Sequence, residues 1–521
     1  MNPGDSTAAP AETDVLIVGA GPTGLALALD LARHGVRALV VERADALFPG
    51  SRGKGIQPRT QEVFDDLGVL DALRAGGGTY PVGMVWKDGR RQGEHRMFDE
   101  VEATEADPYA GFALMVPQWR TQEILYARLT ELGGGVAFGR ELVGLVQDAD
   151  GVTADFASGP PVRARYAVAA DGGRSAVRRG LGIGMTGETV DPGPAVVADI
   201  RVSGLDRDNW HFFPPTGPTG SADGEGGKGS KSGKGDRGGK GGGGLGGDFL
   251  GICPLPHTED FQLAAGFSDP SAEPDLSLDG IRKLVATRTH LSADDVTEVR
   301  WASDFRPRAA MADRFRDGRV FLAGDAAHVH SPAGGQGLNT SVQDAYNLAW
   351  KLAAVLRGAA PAALLDSYEE ERMPIAEQML GLSTGVHRGE VRRGAATQQL
   401  GLGYRGSALA VETRTDLPEK SLRAGDRAPD GNRSGIRLFD AFRGPHWTLL
   451  TVGTDTEVPA LPGTRAVRFP AYEAYGTGVF LVRPDGYVGW AGESIGSVGS
   501  IGSVGSARGL AEYAARVGVA R

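Results

Sequence analysis

The sequence predicts an α/β protein built on an open, largely parallel sheet. Three apolar runs have the length of buried strands, and each ends in a turn that contains Gly or Asp; they are residues 14–18, 167–170 and 319–323. A helical pattern at 25–34 and a second strand-like run at 37–41 follow the first, which makes a strand–helix–strand unit. Because ligands bind at the carboxyl ends of such strands, the turns are the first candidates for a site.

Composition and charge limit the class of protein. The chain has 521 residues, which predicts two to four domains. Its 55 Lys and Arg residues against 65 Asp and Glu residues give a formal charge of −10, so we do not expect nucleic acid as a partner. The single cysteine, Cys253, excludes an intramolecular disulfide and fits a cytoplasmic protein. We expect no membrane span, because no apolar run reaches about 18 residues, and no secretory signal.

The first turn has the spacing of a dinucleotide site. Gly19, Gly21 and Gly24 form GxGxxG between the first strand and its helix, where they permit a tight turn, backbone approach to a pyrophosphate and close helix packing. Glu42 ends the next strand, 18 residues beyond Gly24, and its carboxylate can accept hydrogen bonds from a ribose. The pattern predicts a Rossmann-like site without distinguishing NAD from FAD. The alternative is a structural turn beside a surface glutamate.

The other two strand ends carry similar chemistry. Asp171 and Asp325 each follow an apolar run, and the glycine-rich segment 331–339 leads from the second of them into a helix. Backbone N–H groups at that helix start can hold a polar ring edge. Capping of the turns by Asp is the alternative, but together with the first turn these segments favour one extended dinucleotide. His328 and His330 have no carboxylate–histidine set near them in the sequence, so we predict no metal site.

The middle of the chain has a different pattern. Residues 187–300 include alternating runs, such as 262–267, that predict antiparallel strands. Residues 216–247 are half glycine with interspersed lysines, and we interpret them as a flexible surface loop. Several aromatic residues are candidates for an aromatic pocket, although core packing is the more frequent use of aromatics at strand spacing. These candidates are Trp86, Trp210, Phe212, Phe213 and Phe267.

The last third of the chain predicts two helices and then a further sheet. The helical segments are 347–356 and 364–380. Strand signals return from residue 447 onward, and Asp485 with Gly486 makes a suitable hairpin turn. Residues 494–506 repeat short Gly-Ser-(Ile/Val) units, and we interpret them as a loop.

Five motifs carry a family resemblance. They are DVLIVGAGPTGLALAL with Glu42, SRGKGIQPRTQEVFDDLGVL, VPQWRTQEIL, ADGGRSAVRR and GRVFLAGDAAHVHSPAGGQGLNTSVQDAYNLAWKLAAVL. On these motifs the chain resembles the FAD-dependent aromatic hydroxylases, single-component flavoprotein monooxygenases that include para-hydroxybenzoate and phenol hydroxylases. The bacterial polyketide hydroxylases are the most similar group. GDRAPDG and FLVRPDGYVGW resemble the thioredoxin-like C-terminal domain of the larger members.

The resemblance implies three domains. The expected FAD-binding domain comprises 12–80, 108–186 and 305–395, the β-sheet substrate domain comprises 81–107 and 187–304, and the thioredoxin-like domain comprises 424–521. Because no cysteine follows Cys253, the last domain cannot carry out dithiol chemistry, and we expect a role in packing or dimerisation.

The resemblance also implies a set of cofactor contacts. The FAD pyrophosphate would lie at Gly19, Gly21 and Gly24, the adenosine ribose at Glu42 and Arg43, the flavin or its phosphates at Arg52, the flavin side at Gln118, adenine at the backbone of Val143, the ribityl chain at Asp325, and the isoalloxazine ring at Pro332, Gly335, Gly337, Leu338 and Asn339. Asp171 belongs to the motif implicated in both FAD and NAD(P)H binding. No residue is assigned a catalytic role.

The implied activity is oxygenation of an aromatic small molecule. NADPH or NADH would reduce the flavin transiently, O2 would form a C4a-hydroperoxide, and a phenolic or polyketide-like ring would be hydroxylated. Two alternatives stay open: a related oxygenation, of the Baeyer–Villiger type or one that inactivates an antibiotic, and a flavin-binding scaffold without turnover. The oligomeric state also stays open, with a homodimer as one alternative.

Overall fold

The computed structural model describes residues 11–96, 98–111, 114–215, 247–455, 458, 460–493 and 501–519. The predicted Gly/Lys loop at 216–247 lies outside the described residues except for Gly247, and so does the first part of the Gly-Ser repeat.

The α-helices of the described residues are α1 (Pro22–Arg33), α2 (Pro58–Asp66), α3 (Leu70–Ala75), α4 (Gln118–Glu131), α5 (Ala176–Gly180), α6 (Leu278–Arg288), α7 (Gly337–Leu356), α8 (Asp366–His387), α9 (Leu438–Phe442) and α10 (Ile501–Arg516). The strands are β1 (Ala11–Val18), β2 (Ala38–Val41), β3 (Gly55–Ile56), β4 (Gly78–Thr79), β5 (Val82–Lys87), β6 (Arg90–His95), β7 (Leu114–Met115), β8 (Val136–Ala137), β9 (Leu142–Gln147), β10 (Val152–Phe156), β11 (Val162–Ala169), β12 (Met185–Thr189), β13 (Ala195–Val202), β14 (Asn209–Phe213), β15 (Leu250–Pro254), β16 (Phe261–Gly266), β17 (Val296–Phe305), β18 (Arg308–Ala312), β19 (Arg316–Asp317), β20 (Val320–Leu322), β21 (His328–Val329), β22 (Val411–Glu412), β23 (Asn432–Arg433), β24 (Ile436–Arg437), β25 (Trp447–Val452), β26 (Thr464–Phe469), β27 (Gly478–Val482) and β28 (Val488–Gly492).

The main sheet brings the predicted strand ends together. β20, β11, β1, β2 and β8 lie side by side in this order, and each is parallel to its neighbour. Val15, Leu16 and Ile17 of β1 are fully buried, and each such side chain contributes about 1.5–3 kcal/mol through burial. Because the strands are parallel, the turns after β1, β2, β11 and β20 all emerge at one edge. The prediction of an α/β fold is confirmed in this sheet.

A second sheet of seven strands follows the order β17-β13-β16-β15-β14-β5-β6, and its pairs are antiparallel except for β14 with β5. Alternate residues of β13 face opposite sides, as the period of a strand requires. Val196, Ala198 and Ile200 belong to a buried cluster with Ile281 and Val285 of α6. The other face of the sheet is turned toward the main sheet and its loops.

A third sheet, β22-β28-β27-β25-β26, forms the C-terminal region. β27 and β28 pair as the predicted hairpin, with Gly486 at a φ of +76°. The interpretation of 494–506 as a loop is wrong from Ile501 onward, because α10 begins there. Its later residues Leu510 and Tyr513 are buried, and the Tyr513 hydroxyl donates to the Leu409 carbonyl at 3.0 Å. This packing stabilises a helix that Gly and Ser alone disfavour.

The C-terminal sheet docks on α7 and α8 through buried charges. Arg483 donates to both carboxylate oxygens of Glu371 at 2.6 and 2.9 Å, and Lys351 donates to the same carboxylate at 2.7 Å. Asp485 accepts hydrogen bonds from Trp350 at 3.1 Å and from Arg483. Among the described residues, no helix combines the length and hydropathy needed to cross a bilayer.

Candidate functional site

The glycine turn after β1 is packed on one side and open on the other. Gly19 has a φ of +106°, and a Cβ there would lie 2.4 Å from the Ala170 carbonyl at the end of β11. A Cβ on Gly24 would lie 2.0 Å from the Gly19 carbonyl, so the helix packs directly on the turn. A Cβ on Gly21 would meet no described atom within 4 Å. The start of α1, with N–H groups that lack helical partners, is therefore open to a ligand at Gly21.

Glu42 lies beside this turn at the end of β2. Its carboxylate accepts hydrogen bonds from the backbone N–H of Ala20 at 2.9 Å and of Ala44 at 3.0 Å. These bonds fix the carboxylate next to the glycine turn. A carboxylate has about four acceptor positions, so it can still accept bonds from two hydroxyl groups of a sugar.

The turn after β11 is tied to the turn after β20. Asp171 Oδ2 accepts from the N–H groups of Ala176 and Val177 at 2.7 and 3.2 Å, so this side chain caps the start of α5. Its Oδ1 is buried and has no hydrogen-bond partner among the described residues. Arg178 of α5 donates to the carbonyl of Ala326 at 2.9 Å, which joins the two turns. The capping role, which the sequence left as an alternative, is what the structure shows for Asp171.

Asp325 lies in the turn after β20 and faces the same edge of the sheet. A Cβ on the preceding Gly324 would lie 2.6 Å from Oγ1 of Thr23, so this turn touches the start of α1. Burial raises the pKa of the Asp325 carboxyl, while His328 and Arg52 lower it. Solvent nevertheless reaches the side chain, so the carboxyl lies in a deep crevice. We define the cofactor crevice as the groove between residues 19–24, Glu42 and Asp325.

Arg52 is exposed to the same crevice. Burial lowers the pKa of its guanidinium, Asp325 raises it, and Arg174 and Arg43 lower it further. The guanidinium also lies 5.0 Å from the ring centroid of Phe48. The structure thus brings Arg52, Asp325 and Arg43 into electrostatic range of one another, and these cations favour a ligand with phosphate groups.

A buried charge network supports the turn at Asp325. Asp344 accepts from the Gly324 N–H at 3.0 Å, from Arg372 at 2.7 Å and pairs with His328 at 2.6 Å. His330 lies 2.9 Å from the other nitrogen of His328. The carboxylate that meets this histidine pair is Asp344, 16 residues from His328 along the chain. Within the described parts of the chain, no group of three or more acidic, His or Cys side chains is arranged to hold a metal ion.

Residues 53–57 connect the crevice to the two helices behind it. Gln118, at the start of α4, accepts from the Gly53 N–H at 3.0 Å. Asn339 accepts from the Gln57 N–H at 2.8 Å and donates to the carbonyls of Gly55 and Gly335 at 2.9 Å. The side-chain amide of Asn339 is fully buried and engaged within the protein. The Asn339 side chain therefore serves to fix residues 55–57 against the start of α7.

The loop before α7 has the backbone groups that the sequence predicted. Gly335 adopts a φ of +62°, and Pro332 and Gly335 are exposed. Thr340 donates to the Gln336 carbonyl, so the N–H groups of Gly337, Leu338 and Asn339 precede the first bond of the helix. Leu338 lies close to Gly53, because a Cβ on Gly53 would be 3.5 Å from Leu338 Cδ1. These groups lie against residues 53–57, which follow Arg52 in the chain.

Two further predicted residues, Arg43 and Val143, lie on the surface. Arg43 is exposed next to Glu42. Val143 lies on β9 and is 64% exposed. The Arg140 N–H donates to the Glu42 carbonyl at 2.8 Å, which places the start of β9 near Glu42.

Lys54, two residues after Arg52 in the motif SRGKGIQPRT, has no role predicted from the sequence. Its ammonium is buried between the two sheets and donates to Gln262 Oε1 at 2.7 Å. Trp210 and Phe212 face this region and are half-buried, whereas Trp86 stacks on Phe213 on the core side of the seven-stranded sheet. The aromatic candidates therefore divide between a cavity wall and ordinary core. Phe267 packs against the edge of that core.

The chain is similar to known proteins over most of its length. The family described as FAD binding domain matches residues 12–383. A flavin-dependent monooxygenase of Mycobacteroides abscessus is 43% identical over 518 residues, which cover 96% of this chain and 99% of the relative. The chain belongs to the FAD-binding flavoprotein monooxygenases. A rifampicin monooxygenase of Streptomyces venezuelae is 33% identical over 493 residues, which cover 92% of this chain and 96% of the relative.

A solved structure of an aklavinone-11 hydroxylase, in a ternary complex with FAD and aklavinone, resembles this monooxygenase throughout. The TM-score is 0.76 at 29% identity, and the match covers 99% of this chain and 100% of the other. The predicted family and the FAD-binding domain are confirmed. The crevice fits that cofactor on its own geometry, because it combines an open helix start at Gly21, a ribose-compatible carboxylate at Glu42 and cations at Arg43 and Arg52.

Proposed function

We propose that this monooxygenase uses FAD, NAD(P)H and O2 to hydroxylate an aromatic substrate of the polyketide or phenolic class. The observation that carries the proposal is the meeting of the turns after β1, β2, β11 and β20 at one crevice, with an aromatic-walled cavity directly beside it. The bound flavin supplies reduction by NAD(P)H and transfer of one oxygen atom from O2. The protein supplies binding, orientation and exclusion of water.

The proposed cofactor contacts follow the crevice from end to end. Glu42 would bind the adenosine ribose, with Arg43 and the backbone of Val143 nearby. Gly19, Gly21 and Gly24 would place the start of α1 against the pyrophosphate, and Arg52 would neutralise its charge. Asp325 would accept from the ribityl chain, and Gln118 would hold Gly53 at the flavin side. The isoalloxazine ring would lie at the loop formed by Pro332, Gly335, Gly337, Leu338 and Asn339.

Asp171 has a different proposed role. Because Oδ2 caps α5, the side chain would act by fixing the turn that borders the cofactor rather than by direct contact.

A related oxygenation is the second candidate. The rifampicin monooxygenase at 33% identity supports an activity directed at an antibiotic, and insertion of oxygen beside a ketone would use the same flavin site. Both outcomes add one oxygen atom, so the mass of the product does not separate them. Alkaline hydrolysis does, because an ester product takes up water and a phenol does not.

We further propose that the C-terminal region has a thioredoxin-like fold with a packing role. The support is its docking on Glu371 through Arg483 and the absence of any cysteine after Cys253 in the sequence. Such a domain would stabilise α7 and α8, which carry the loop proposed to hold the flavin.

The test of the proposed function is purification followed by a spectrum and an NADPH oxidation assay. We expect a yellow protein with bound FAD whose NADPH oxidation accelerates when a polyphenolic quinone is added, together with a product heavier by one oxygen atom. Bound FAD without any acceleration by a panel of polyphenolic and ketone substrates would instead support the flavin-binding scaffold. A colourless protein that does not take up FAD would contradict the proposal.

A further inference from the structure

The face of the seven-stranded sheet that is turned toward the crevice has a shallow recess. Phe212, Gly251, Ala264 and Val197 are cross-strand partners in one row across β14, β15, β16 and β13. The three residues beside Phe212 are small, and Ala264 is half-buried although it lies within the sheet rather than at its edge. Trp210 and Phe212 cover Gly251, because a Cβ there would lie 3.4 Å from the Trp210 indole and 3.6 Å from the Phe212 ring, so the open space lies over Ala264.

Aromatic rings surround this recess. Trp210 lies 5.0 Å from Phe212 and 6.1 Å from Tyr80, with which it is stacked, and Tyr80 lies 4.8 Å from Phe98 between ring centroids. All four rings are half-buried. Aromatic faces that solvent can still reach inside a protein are suited to stacking on another ring.

The recess is internal rather than a surface groove. Burial raises the pKa of the Tyr80 hydroxyl well above its ordinary value, and burial lowers the pKa of the Arg393 guanidinium. Yet part of each side chain remains accessible. Side chains that are desolvated and still accessible line a cavity. Arg393 also donates to the Ala333 carbonyl at 2.9 Å, which places this cavity against the loop before α7.

Lys54 brings a buried positive charge to the cavity. The side chain is 7% exposed, its ammonium lies 4.2 Å from the ring centroid of Trp210, and its hydrogen-bond acceptor is the uncharged Gln262. No ion pair joins Lys54 to a carboxylate in the part of the chain that the structure describes. Burial lowers the pKa of Lys54, whereas the nearby Cys253 and Asp199 raise it and Arg393 lowers it. Asp199 is a buried carboxylate near this ammonium, and Gln262 engages one of the three N–H donors of Lys54, so the ammonium can still donate to a ligand oxygen.

We propose that Lys54 contacts the substrate and binds an ionised phenolic oxygen on a fused aromatic ring system that lies in this recess. The inference rests on the proposed function and specifies its substrate class. The ring would lie over Ala264 beside Trp210, and the oxygen would pair with the ammonium. An ionised phenol is also more electron-rich, so the contact favours the form of the ring that reacts with an electrophilic oxygen.

A purely structural role for Lys54 makes a different prediction. In that case the bond to Gln262 would only hold residues 51–55 against the sheet, and loss of the charge would weaken the binding of any aromatic ligand to the same extent. The two roles are therefore separated by ligands of one shape with and without an acidic oxygen.

The test uses the FAD-loaded enzyme and two probes, 1,2-dihydroxyanthraquinone and its dimethyl ether, titrated while the flavin absorbance is followed. The variants are Lys54→Met, which keeps the length of the side chain, and Lys54→Arg, which keeps the charge. Lys283→Met is the matched control, because Lys283 is exposed on α6. FAD content and thermal midpoint are measured for each variant to verify folding.

We expect the unmodified enzyme to prefer the dihydroxy probe and to bind it more tightly as the pH rises through the pKa of its phenol. Asp199, Cys253, Tyr80 and Arg393 also face Lys54, so the dimethyl ether serves to correct for their titration. Lys54→Met should weaken binding of the dihydroxy probe about 10- to 100-fold and binding of the dimethyl ether less than about threefold. Lys54→Arg should retain part of the preference, and the control should retain all of it.

Three results would overturn the inference. Lys54→Met could weaken binding of both probes equally, it could weaken binding of neither, or the unmodified enzyme could bind the dihydroxy probe no more tightly than its dimethyl ether. If Lys54→Met loses FAD, the pH dependence of the unmodified enzyme and the Lys54→Arg variant decide the matter. The outcome is separable from the proposed function. An enzyme that oxygenates substrates without this preference keeps its proposed function and loses only the inference about Lys54.

Discussion

The two glycines at the start of α1 should respond to the same substitution in opposite ways. In Gly24→Ala the new Cβ would lie 2.0 Å from the Gly19 carbonyl and 3.3 Å from Ile17 Cγ2. The carbonyl belongs to the backbone of a tight turn, so the helix must move by about 1 Å, and such overpacking costs about 1–3 kcal/mol. In Gly21→Ala the Cβ enters open space at a φ of −71°, which alanine adopts without strain. The unfolding free energy of the apoprotein should then change by less than about 1 kcal/mol.

FAD affinity should be lowered by Gly21→Ala, the variant whose apoprotein keeps its stability. The Cβ of Gly21→Ala projects from the open side of the turn, where the pyrophosphate is proposed to approach the backbone. A methyl group in such a contact should weaken FAD binding by about 1–3 kcal/mol, or roughly 10- to 100-fold. Urea denaturation of the apoproteins measures the first effect, and titration with FAD followed by flavin fluorescence measures the second. Equal destabilisation of both apoproteins, or wild-type FAD affinity in Gly21→Ala, would refute this assignment of the turn.

Three further predictions concern charged groups. Glu42→Ala should weaken FAD binding by about 1.5–3 kcal/mol, the value of a charge-assisted hydrogen bond, and an unchanged dissociation constant would remove the ribose assignment. Burial opposes ionisation of Asp344, but His328 and Arg372 lower its pKa to about 2, so its contribution to stability is full above about pH 4 and is lost as the pH falls toward 2. The urea midpoint of the unmodified protein should fall as the pH is lowered through this range, and that of Asp344→Asn should fall less. If the two proteins lose stability in parallel as the pH falls, protonation of Asp344 is not the cause. Glu371→Gln leaves Lys351 and a guanidinium short of negative charge in the core and should destabilise the protein by about 3–5 kcal/mol in urea denaturation, so a loss below about 1 kcal/mol would contradict the buried-network interpretation.

The sequence predicted the edge of the main sheet well because local rules determine it. Position 19 needs glycine because its φ is positive, and position 24 needs glycine because the helix packs directly on the turn. The short strand β2 then places Glu42 beside that turn. The parallel order of the strands then brings Asp325 to the same edge. Each step depends on backbone geometry that a strand, a tight turn and a helix impose regardless of the rest of the chain.

Features that depend on contacts between distant segments were harder to predict. His328 and Asp344 meet across a turn and a helix start, so their spacing in the sequence does not show the pair. Lys54 acquires its environment from Gln262, more than 200 residues away, and a lysine between two glycines reads as a surface residue. The start of α10 within a Gly-Ser repeat was missed for the same reason, because tertiary packing of its later turns outweighs low helix propensity.

Turns from four strands are proposed to hold one FAD molecule, and a crystal structure of the FAD complex tests this arrangement most directly. We predict a single continuous density that has its ribose at Glu42, passes the start of α1 at Gly21 and reaches its ribityl chain at Asp325. Density that contacts only one of these residues, or two ligands bound in separate cavities at Glu42 and Asp325, would contradict it.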